Sequence, residues 1–296
     1  MTEEEFLVSD RIAKIKSIDN DHDLLNNAYV SYSGGKDSSV LSKLIDLALP
    51  NNNIPRVYIN TGIEYKLMVE HVERERERDG RIIIVRPSQN IRDILENYGY
   101  PFKSKEHSQK VSYYQHKGKC KTVINYLGEG TKTSFLCPDK LKYNFTDNFT
   151  LKVSDKCCYK LKKEPAEKWS KENNKPIAIT GIRNSEGGLR QSVKGCVIFT
   201  ENKLHKFHPL LPLEDSFIEW FVKEYKIELC QLYYPPYNFN RTGCKGCPYS
   251  MDLQSQLDTM SILLPQERKQ CEYIWSKVYN EYRRINYRLS PQLSLF

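Results

Sequence analysis

The stretch that most constrains the fold is residues 28–49. Ala28–Ser33 (AYVSYS) is rich in β-formers and reads as a short strand. Gly34-Gly35-Lys36-Asp37-Ser38 follows, and from Ser38 to Leu49 the apolar residues Val40, Leu41, Leu44, Ile45 and Ala48 return at helical spacing. A strand that turns through two glycines into a helix aims backbone N–H groups and the positive end of the helix dipole at one spot. Ser33 and Ser38 add hydroxyl donors, and Lys36 adds a compact positive charge. These are the parts of a phosphate site; the plain alternative is an ordinary strand–turn–helix corner. The spacing is not the Walker pattern, which needs four residues between its glycines. Asp37 is unusual beside a phosphate, where it could orient Lys36 or bind Mg²⁺.

The flanking sequence predicts an α/β fold with a parallel sheet. Arg56–Asn60 and Arg81–Arg86 read as strands, with a helix over Glu64–Asp79 between them. An amphipathic helix is expected over 4–16. Residues 88–175 are mostly helical or irregular and rich in lysine. Lys175–Gly181 reads as a return to the sheet, and Glu214–Tyr225 as a helix with Phe217, Trp220 and Phe221 on its apolar face. Helices over 250–262 and 265–287 close the chain. The expected organisation is a nucleotide-binding domain over 1–240 with a Lys-rich helical insertion at about 100–175, a helical C-terminal region over 241–287, and an extended tail over 288–296. The alternating run Glu73–Asp79 (ERERERD) reads as a solvated helix face.

Composition excludes several classes. Of 296 residues, 39% are hydrophobic and 28% charged, which describes a soluble globular protein. No apolar run approaches membrane-spanning length, and MTEEEFLVSD is acidic with no apolar core of a secretory signal. A cytoplasmic protein without membrane attachment is expected. Nine cysteines then point to metal or redox chemistry rather than a disulfide framework.

The net charge of +8 is concentrated. Residues 103–163 hold fourteen lysines, no arginine and five carboxylates. Tyr113, Tyr114, Tyr126, Tyr143, Tyr159, Phe135 and Phe145 are interleaved with them. Lysines neutralise phosphates and aromatics stack on unpaired bases, so DNA or RNA is one expected partner. A solvated helical insertion, or lysines that neutralise thiolates and a nucleotide, are the alternatives.

Cys157 and Cys158 are adjacent, and Cys244 and Cys247 form a CxxC, with Gly243 and Gly246 making tight turns around it. Four thiolates can close a zinc site or hold an iron–sulfur cluster. Cys120, Cys137, Cys196, Cys230 and Cys271 read individually as core or surface thiols.

SGGKDS at 33–38 resembles the PP-loop of the ATP pyrophosphatases, which cleave ATP between the α and β phosphates and often adenylate a substrate. From about residue 25 to 250 the chain resembles the phosphoadenosine phosphosulfate reductase family, a branch of that superfamily. The resemblance rests on SGGKDS, INTGIEY (59–65), the double cysteine with the following KLKKEP, GIRNSEGGLR (181–190) and RTGCKGCP (241–248). It implies a Rossmann-like PP-loop fold that binds ATP with Mg²⁺. Nucleotide contacts would come from Ser33, Gly34, Gly35, Lys36, Asp37, Ser38, Asn60, Thr61, Gly62, Gly181, Arg183 and Arg190, with Lys36, Asp37 and Arg183 catalytic. The paired cysteines resemble those of the [4Fe–4S]-containing adenylyl-sulfate reductases, which implies a [4Fe–4S] cluster on Cys157, Cys158, Cys244 and Cys247, with Zn²⁺ as the alternative.

Two departures bear on the reaction. Sulfonucleotide reductases have a degenerate loop, whereas this loop is intact. They also carry a nucleophilic cysteine in a Glu-Cys-Gly tail, and Arg288–Phe296 contains none. The expected chemistry is therefore adenylation and sulfur transfer, as in family members of DNA phosphorothioation, with a nucleic-acid substrate and a sulfur donor protein as partner. Sulfonucleotide reduction is the alternative. The final residues Gln292, Leu293, Ser294, Leu295 and Phe296 resemble the peptide by which bacterial proteins dock on the DNA polymerase sliding clamp. That makes a clamp-associated nucleotide-binding accessory a third reading, and a tail folded onto its own domain the plain one.

Overall fold

The computed structural model describes residues 1–131, 135–186 and 193–291. The order is α1 (Glu3–His22), α2 (Leu24–Asn27), β1 (Ala28–Tyr32), α3 (Lys36–Ala48), β2 (Arg56–Ile59), α4 (Lys66–Arg78) and β3 (Ile82–Val85). Then come α5 (Ile91–Tyr98), α6 (Lys105–Lys117), α7 (Lys121–Leu127) and α8 (Lys156–Cys158), a single wide π turn over Tyr159–Lys163, and α9 (Glu164–Glu172). The chain closes with β4 (Ile177–Ile179), β5 (Val197–Thr200), β6 (Lys203–Phe207), α10 (Asp215–Glu224), α11 (Leu253–Leu263) and α12 (Pro265–Arg284). Among the described residues no helix is long and apolar enough to cross a membrane.

Two compact units emerge. The first comprises Met1–Asn60, Lys66–Arg86 and Pro165–Thr242; the second comprises Thr61–Tyr65, Pro87–Glu164 and Gly243–Phe296. The Lys-rich segment up to Glu164 therefore shares a unit with the CxxC.

The first unit is an α/β sheet in the order β3-β2-β1-β4-β6-β5, parallel except for β5. β1 is the pivot. Val30 pairs with Arg56 of β2 on one side and with Ile179 of β4 on the other. The chain thus builds outward in one direction through β2 and β3 and later in the other through β4. The loop leaving β1 lies at that switch point, where open α/β sheets bind ligands. Ala28 and Val30, with no measurable exposure, pack with Val40, Leu41, Leu44 and Ile45 of α3 and with Phe217 and Phe221 of α10. Periodicity at 3.6 residues thus appears as a buried face, as the sequence predicts.

Three boundaries differ from expectation for local reasons. α1 runs on to His22 because Thr2 and Glu5 form a reciprocal capping box at its start and Asp23, left-handed at φ 50°, ends it. α4 starts at Lys66, not Glu64, because Glu64 is used in the preceding turn. The β5–β6 hairpin was not foreseen. Glu201 and Asn202 turn it with φ of 50° and 60°, a primed turn without the usual glycine. Ile198, Phe199 and Thr200 are exposed, so no apolar alternation marks the edge strand.

Candidate functional site

The loop is built as the sequence implies. Gly35 is the cap residue of α3 and brings no side-chain cap of its own, so the first amides of the helix face the loop. Gly34 has φ 70°, and a Cβ there would stand 2.6 Å from Val72 Cγ2 and 2.8 Å from Met68 Sδ. Glycine is thus required twice, by conformation and by the approach of α4. Ser38 Oγ accepts from the Ser33 amide at 3.1 Å and donates to the Gly35 carbonyl at 2.9 Å; Ser33 Oγ lies 3.1 Å from Ser38 Oγ. The two serines hold the turn in shape.

Gly181, at the end of β4, supports the loop from below. A Cβ on it would meet the Asp37 carbonyl oxygen at 3.1 Å. Arg183 is buried and its guanidinium clamps the loop: Nε donates to Asp37 Oδ1 at 2.8 Å, Nη2 to Asp215 Oδ1 at 2.6 Å, and Nη1 to Ser185 Oγ at 2.8 Å. Asp37 is therefore anchored by Arg183, which explains an acid in a phosphate loop. Arg190 lies outside the described residues, as do Gln292, Leu293, Ser294, Leu295 and Phe296.

Tyr233 and Thr242 are loop neighbours that sequence reasoning missed. The Lys36 amide donates to the Tyr233 hydroxyl at 3.4 Å, and that hydroxyl lies 2.7 Å from Thr242 Oγ1. The Lys36 ammonium sits 5.7 Å above the Tyr233 ring. Tyr233 lies in no motif, and Thr242, though inside RTGCKGCP, is about two hundred positions from Lys36.

Asn60 ends β2, its amide donating to the Val85 carbonyl at 2.8 Å. In the second unit, Thr61 gives its amide to Glu64 Oε2 at 2.9 Å and its hydroxyl to Glu64 Oε1 at 2.7 Å, and Gly62 turns between them at φ 77°. Glu64 is buried and also lies 4.0 Å from Lys162 Nζ. The Thr-x-x-Glu spacing was the available signal for it.

The four cysteines singled out all belong to the second unit. The CxxC loop is pinned by α12. Trp275 Nε1 donates to the Lys245 carbonyl at 3.2 Å, the Tyr279 hydroxyl to the Gly246 carbonyl, and the Tyr282 hydroxyl to the Pro248 carbonyl at 3.0 Å. Gly246 has φ 60°, and a Cβ on it would meet Tyr279 Oη at 2.5 Å and Cys271 Sγ at 2.7 Å. Cys271 is thus a fully buried thiol packed behind the CxxC.

The thiols also affect one another. A hydrogen bond from Cys157 and the ammonium groups of Lys105, Lys162 and Lys163 pull Cys158 down to about 6. Its partner Cys157 is raised, first by that hydrogen bond and then by burial and the nearby Cys247 and Cys244. Burial, with Cys244 and Cys158 nearby, pushes Cys247 up to about 12. The donor chemistry fits a thiolate-bound metal centre: four sulfurs in one unit, a rigid backbone cradle and adjacent lysines to offset thiolate charge. Among the described residues, however, no three His, Cys, Asp or Glu side chains form a set that could hold a metal ion as they stand.

The family model of the phosphoadenosine phosphosulfate reductase domain matches residues 27–136 and 137–250. The chain belongs to this family. No curated protein matches it by sequence. Among solved structures it is similar to the phosphoadenylyl-sulfate reductase of Candida auris in its phosphate complex, at 13% identity and a TM-score of 0.43, over 74% of this chain and 81% of that one. It is similar to the FMN adenylyltransferase of Candida glabrata with FMN and an ATP analogue, at 17% identity and 0.45, over 80% and 63%. The U34-tRNA thiolase NcsA of Methanococcus maripaludis with its [4Fe–4S] cluster is similar at 15% and 0.41, over 98% and 82%. Within the phosphoadenosine phosphosulfate reductase family match fall the loop, Gly181, Arg183, Thr242 and all four paired cysteines.

Proposed function

We propose that this family member binds ATP with Mg²⁺ at Ser33–Ser38 and cleaves it to AMP and pyrophosphate while adenylating an oxygen of a nucleic acid. The observation that carries the reading is the intact loop at the β1 switch point, with a glycine as the cap residue of α3 and Asp37 fixed by Arg183. An acceptor oxygen attacks the α-phosphorus, the bond to the bridging oxygen of the β-phosphate breaks, and pyrophosphate leaves. Lys36 and the loop amides stabilise the charge that develops on the leaving group. Arg183 acts by positioning Asp37. Sulfide-level sulfur from a donor protein then attacks the atom that bears the adenylated oxygen, the bond to that oxygen breaks, and the oxygen leaves as part of AMP.

Cys157, Cys158, Cys244 and Cys247 would hold a [4Fe–4S] cluster, or Zn²⁺ in the alternative. A cluster supplies a sulfur or electron relay that zinc does not. The lysines of 103–163 are the proposed nucleic-acid face. Among the described residues four of them already face carboxylates: Lys119 faces Glu129, Lys142 faces Asp139, Lys160 faces Glu164 and Lys162 faces Glu64. The Gln292–Phe296 peptide is proposed to dock on a sliding clamp, placing the enzyme in DNA modification.

The test is pyrophosphate release from ATP with and without DNA or tRNA. Release that Lys36→Ala abolishes supports the reading; unchanged release in that variant refutes it. Iron and acid-labile sulfide in anaerobically purified protein decide the centre, and stoichiometric zinc without sulfide ends the cluster reading. Capture on immobilised clamp, lost on deletion of Gln292–Phe296, tests the docking peptide.

A second reading is favoured by the four paired cysteines within the family match: reduction of adenylyl sulfate or its 3′-phosphate form. It predicts sulfite release from those nucleotides.

A further inference from the structure

Tyr233 has no role in the reading so far, yet it stands where a ligand of the loop should stand. A phosphate nest works because its amides have no other acceptor from the chain. Here the Lys36 amide meets the Tyr233 phenolic oxygen at 3.4 Å. That contact is long for a hydrogen bond and would yield readily to a charged oxygen. The phenol is held from its far side by Thr242 Oγ1 at 2.7 Å. A glycine at 35 leaves it room, since a Cβ there would crowd Tyr233 Oη at 3.0 Å and Ser33 Oγ at 3.3 Å. The ring also carries the Lys36 ammonium above it at 5.7 Å.

We infer that the Tyr233 hydroxyl is a stand-in for a phosphate oxygen and, with Thr242, a further binding group for the diphosphate of the nucleotide. The inference rests on the nucleotide reading above and adds two residues and a ligand moiety to it. When the diphosphate enters, one of its oxygens takes the Lys36 amide. The Tyr233 and Thr242 hydroxyls, which until then bond to each other, turn their protons to that anion. A hydroxyl pair suits this exchange because each group can accept in one state and donate in the other. The free loop then keeps its amide satisfied without a side-chain carboxylate, which would repel the ligand. The same two hydroxyls would distinguish nucleotides that bear a β-phosphate from AMP, which offers them nothing.

The test uses the full chain and isothermal calorimetry with Mg²⁺ and three probes: inorganic pyrophosphate, ATP and AMP. Tyr233→Phe keeps the ring, its packing and the ammonium–ring contact and removes only the hydroxyl. Thr242→Val, close in shape, is the second variant should the first fail to fold. Each is expected to weaken pyrophosphate and ATP roughly tenfold or more, the value of one charge-assisted hydrogen bond, and to leave AMP within about twofold. Unchanged or tighter pyrophosphate binding by Tyr233→Phe overturns the inference and leaves the nucleotide reading standing. A parallel loss for AMP assigns Tyr233 a structural role and also overturns it. Wild-type protein that binds neither pyrophosphate nor ATP removes both.

Discussion

Gly34 and Gly62 offer a matched pair for testing the loop. Both have similar positive φ, 70° and 77°, so an alanine at either pays the left-handed penalty of about 1–2 kcal/mol. Their surroundings differ. A Cβ at Gly62 meets nothing within 4 Å, whereas at Gly34 it would stand 2.6 Å from Val72 Cγ2 and 2.8 Å from Met68 Sδ. Val72 and Met68 are buried on α4, so neither can swing into solvent. Overpacking adds about 1–3 kcal/mol, and Gly34→Ala should cost about 2–5 kcal/mol in all. Gly62→Ala should cost only the conformational part. The assay is urea unfolding followed by circular dichroism, run on both variants, on Val72→Ala and on a Gly34→Ala/Val72→Ala double variant. Deleting the Val72 methyls opens the space for the new Cβ, so the double variant should be more stable than the two single costs predict, by about 1–2 kcal/mol of coupling. Equal costs at the two glycines, or zero coupling to Val72, would refute the claim that α4 forces glycine into the loop.

Three further outcomes follow from buried charge and from the CxxC cradle. His107 is fully buried, with Nδ1 3.0 Å from the Tyr126 hydroxyl and Nε2 3.1 Å from Asn144 Oδ1, and burial beside Lys103 pushes it down to about 3. A depressed folded value means stability that is full above the unfolded value of about 6.5 and lost as pH falls toward 3. By pH 4.5 the loss is about 2–3 kcal/mol, which His107→Gln should flatten in pH-dependent thermal melts. Arg56, with no measurable exposure, pairs with Asp46 at 2.6 Å, and Arg81 pairs with the same carboxylate at 2.7 Å. Asp46→Ala, which leaves buried Arg56 without a carboxylate while Arg81 keeps Asp79 at 2.8 Å, should cost about 3–5 kcal/mol, and Arg56→Met measurably less; equal losses in denaturant titrations would contradict that asymmetry. Tyr279→Phe frees the Gly246 carbonyl and, on the proposed metal centre, should lower the iron or zinc retained per chain after dialysis against a chelator, read by elemental analysis; unchanged retention would show that the Tyr279 bond is not needed to hold the CxxC.

The strand–loop–helix of residues 28–48 was legible because everything that specifies it is local: β-formers, two glycines and a helical apolar period. The double cysteine and the CxxC are each local in sequence, whereas their place in one unit depends on the fold. What was hidden depends on distant partners. Asp37 looked misplaced until Arg183, 146 positions away, supplied its counter-charge. Cys271 read as an ordinary core thiol, and only folding sets its sulfur behind Gly246. Tyr233 lies in a stretch of tyrosines and prolines with no period to single it out. The β5–β6 hairpin escaped because its outer strand is exposed and its turn uses Glu201 and Asn202 instead of Asn-Gly.

The threading of the second unit has a consequence for synthesis. Its segments are made at three separate times, with the whole of Pro165–Thr242 intervening before the last of them. Cys157 and Cys158 therefore leave the ribosome well ahead of Cys244 and Cys247. The donors that shape the CxxC loop, Trp275, Tyr279 and Tyr282, come later still. While α12 is unmade, the nascent chain exposes a double cysteine whose partners do not yet exist, and the apolar surfaces around Phe102 and Val111 wait with it. The first unit faces a milder version of the same delay, because β1, β2 and β3 are complete early and only β4 to β6 must follow. Maturation of this chain is consequently ordered in time, with the sheet able to start during translation and the thiol cradle closing only after α12 has emerged.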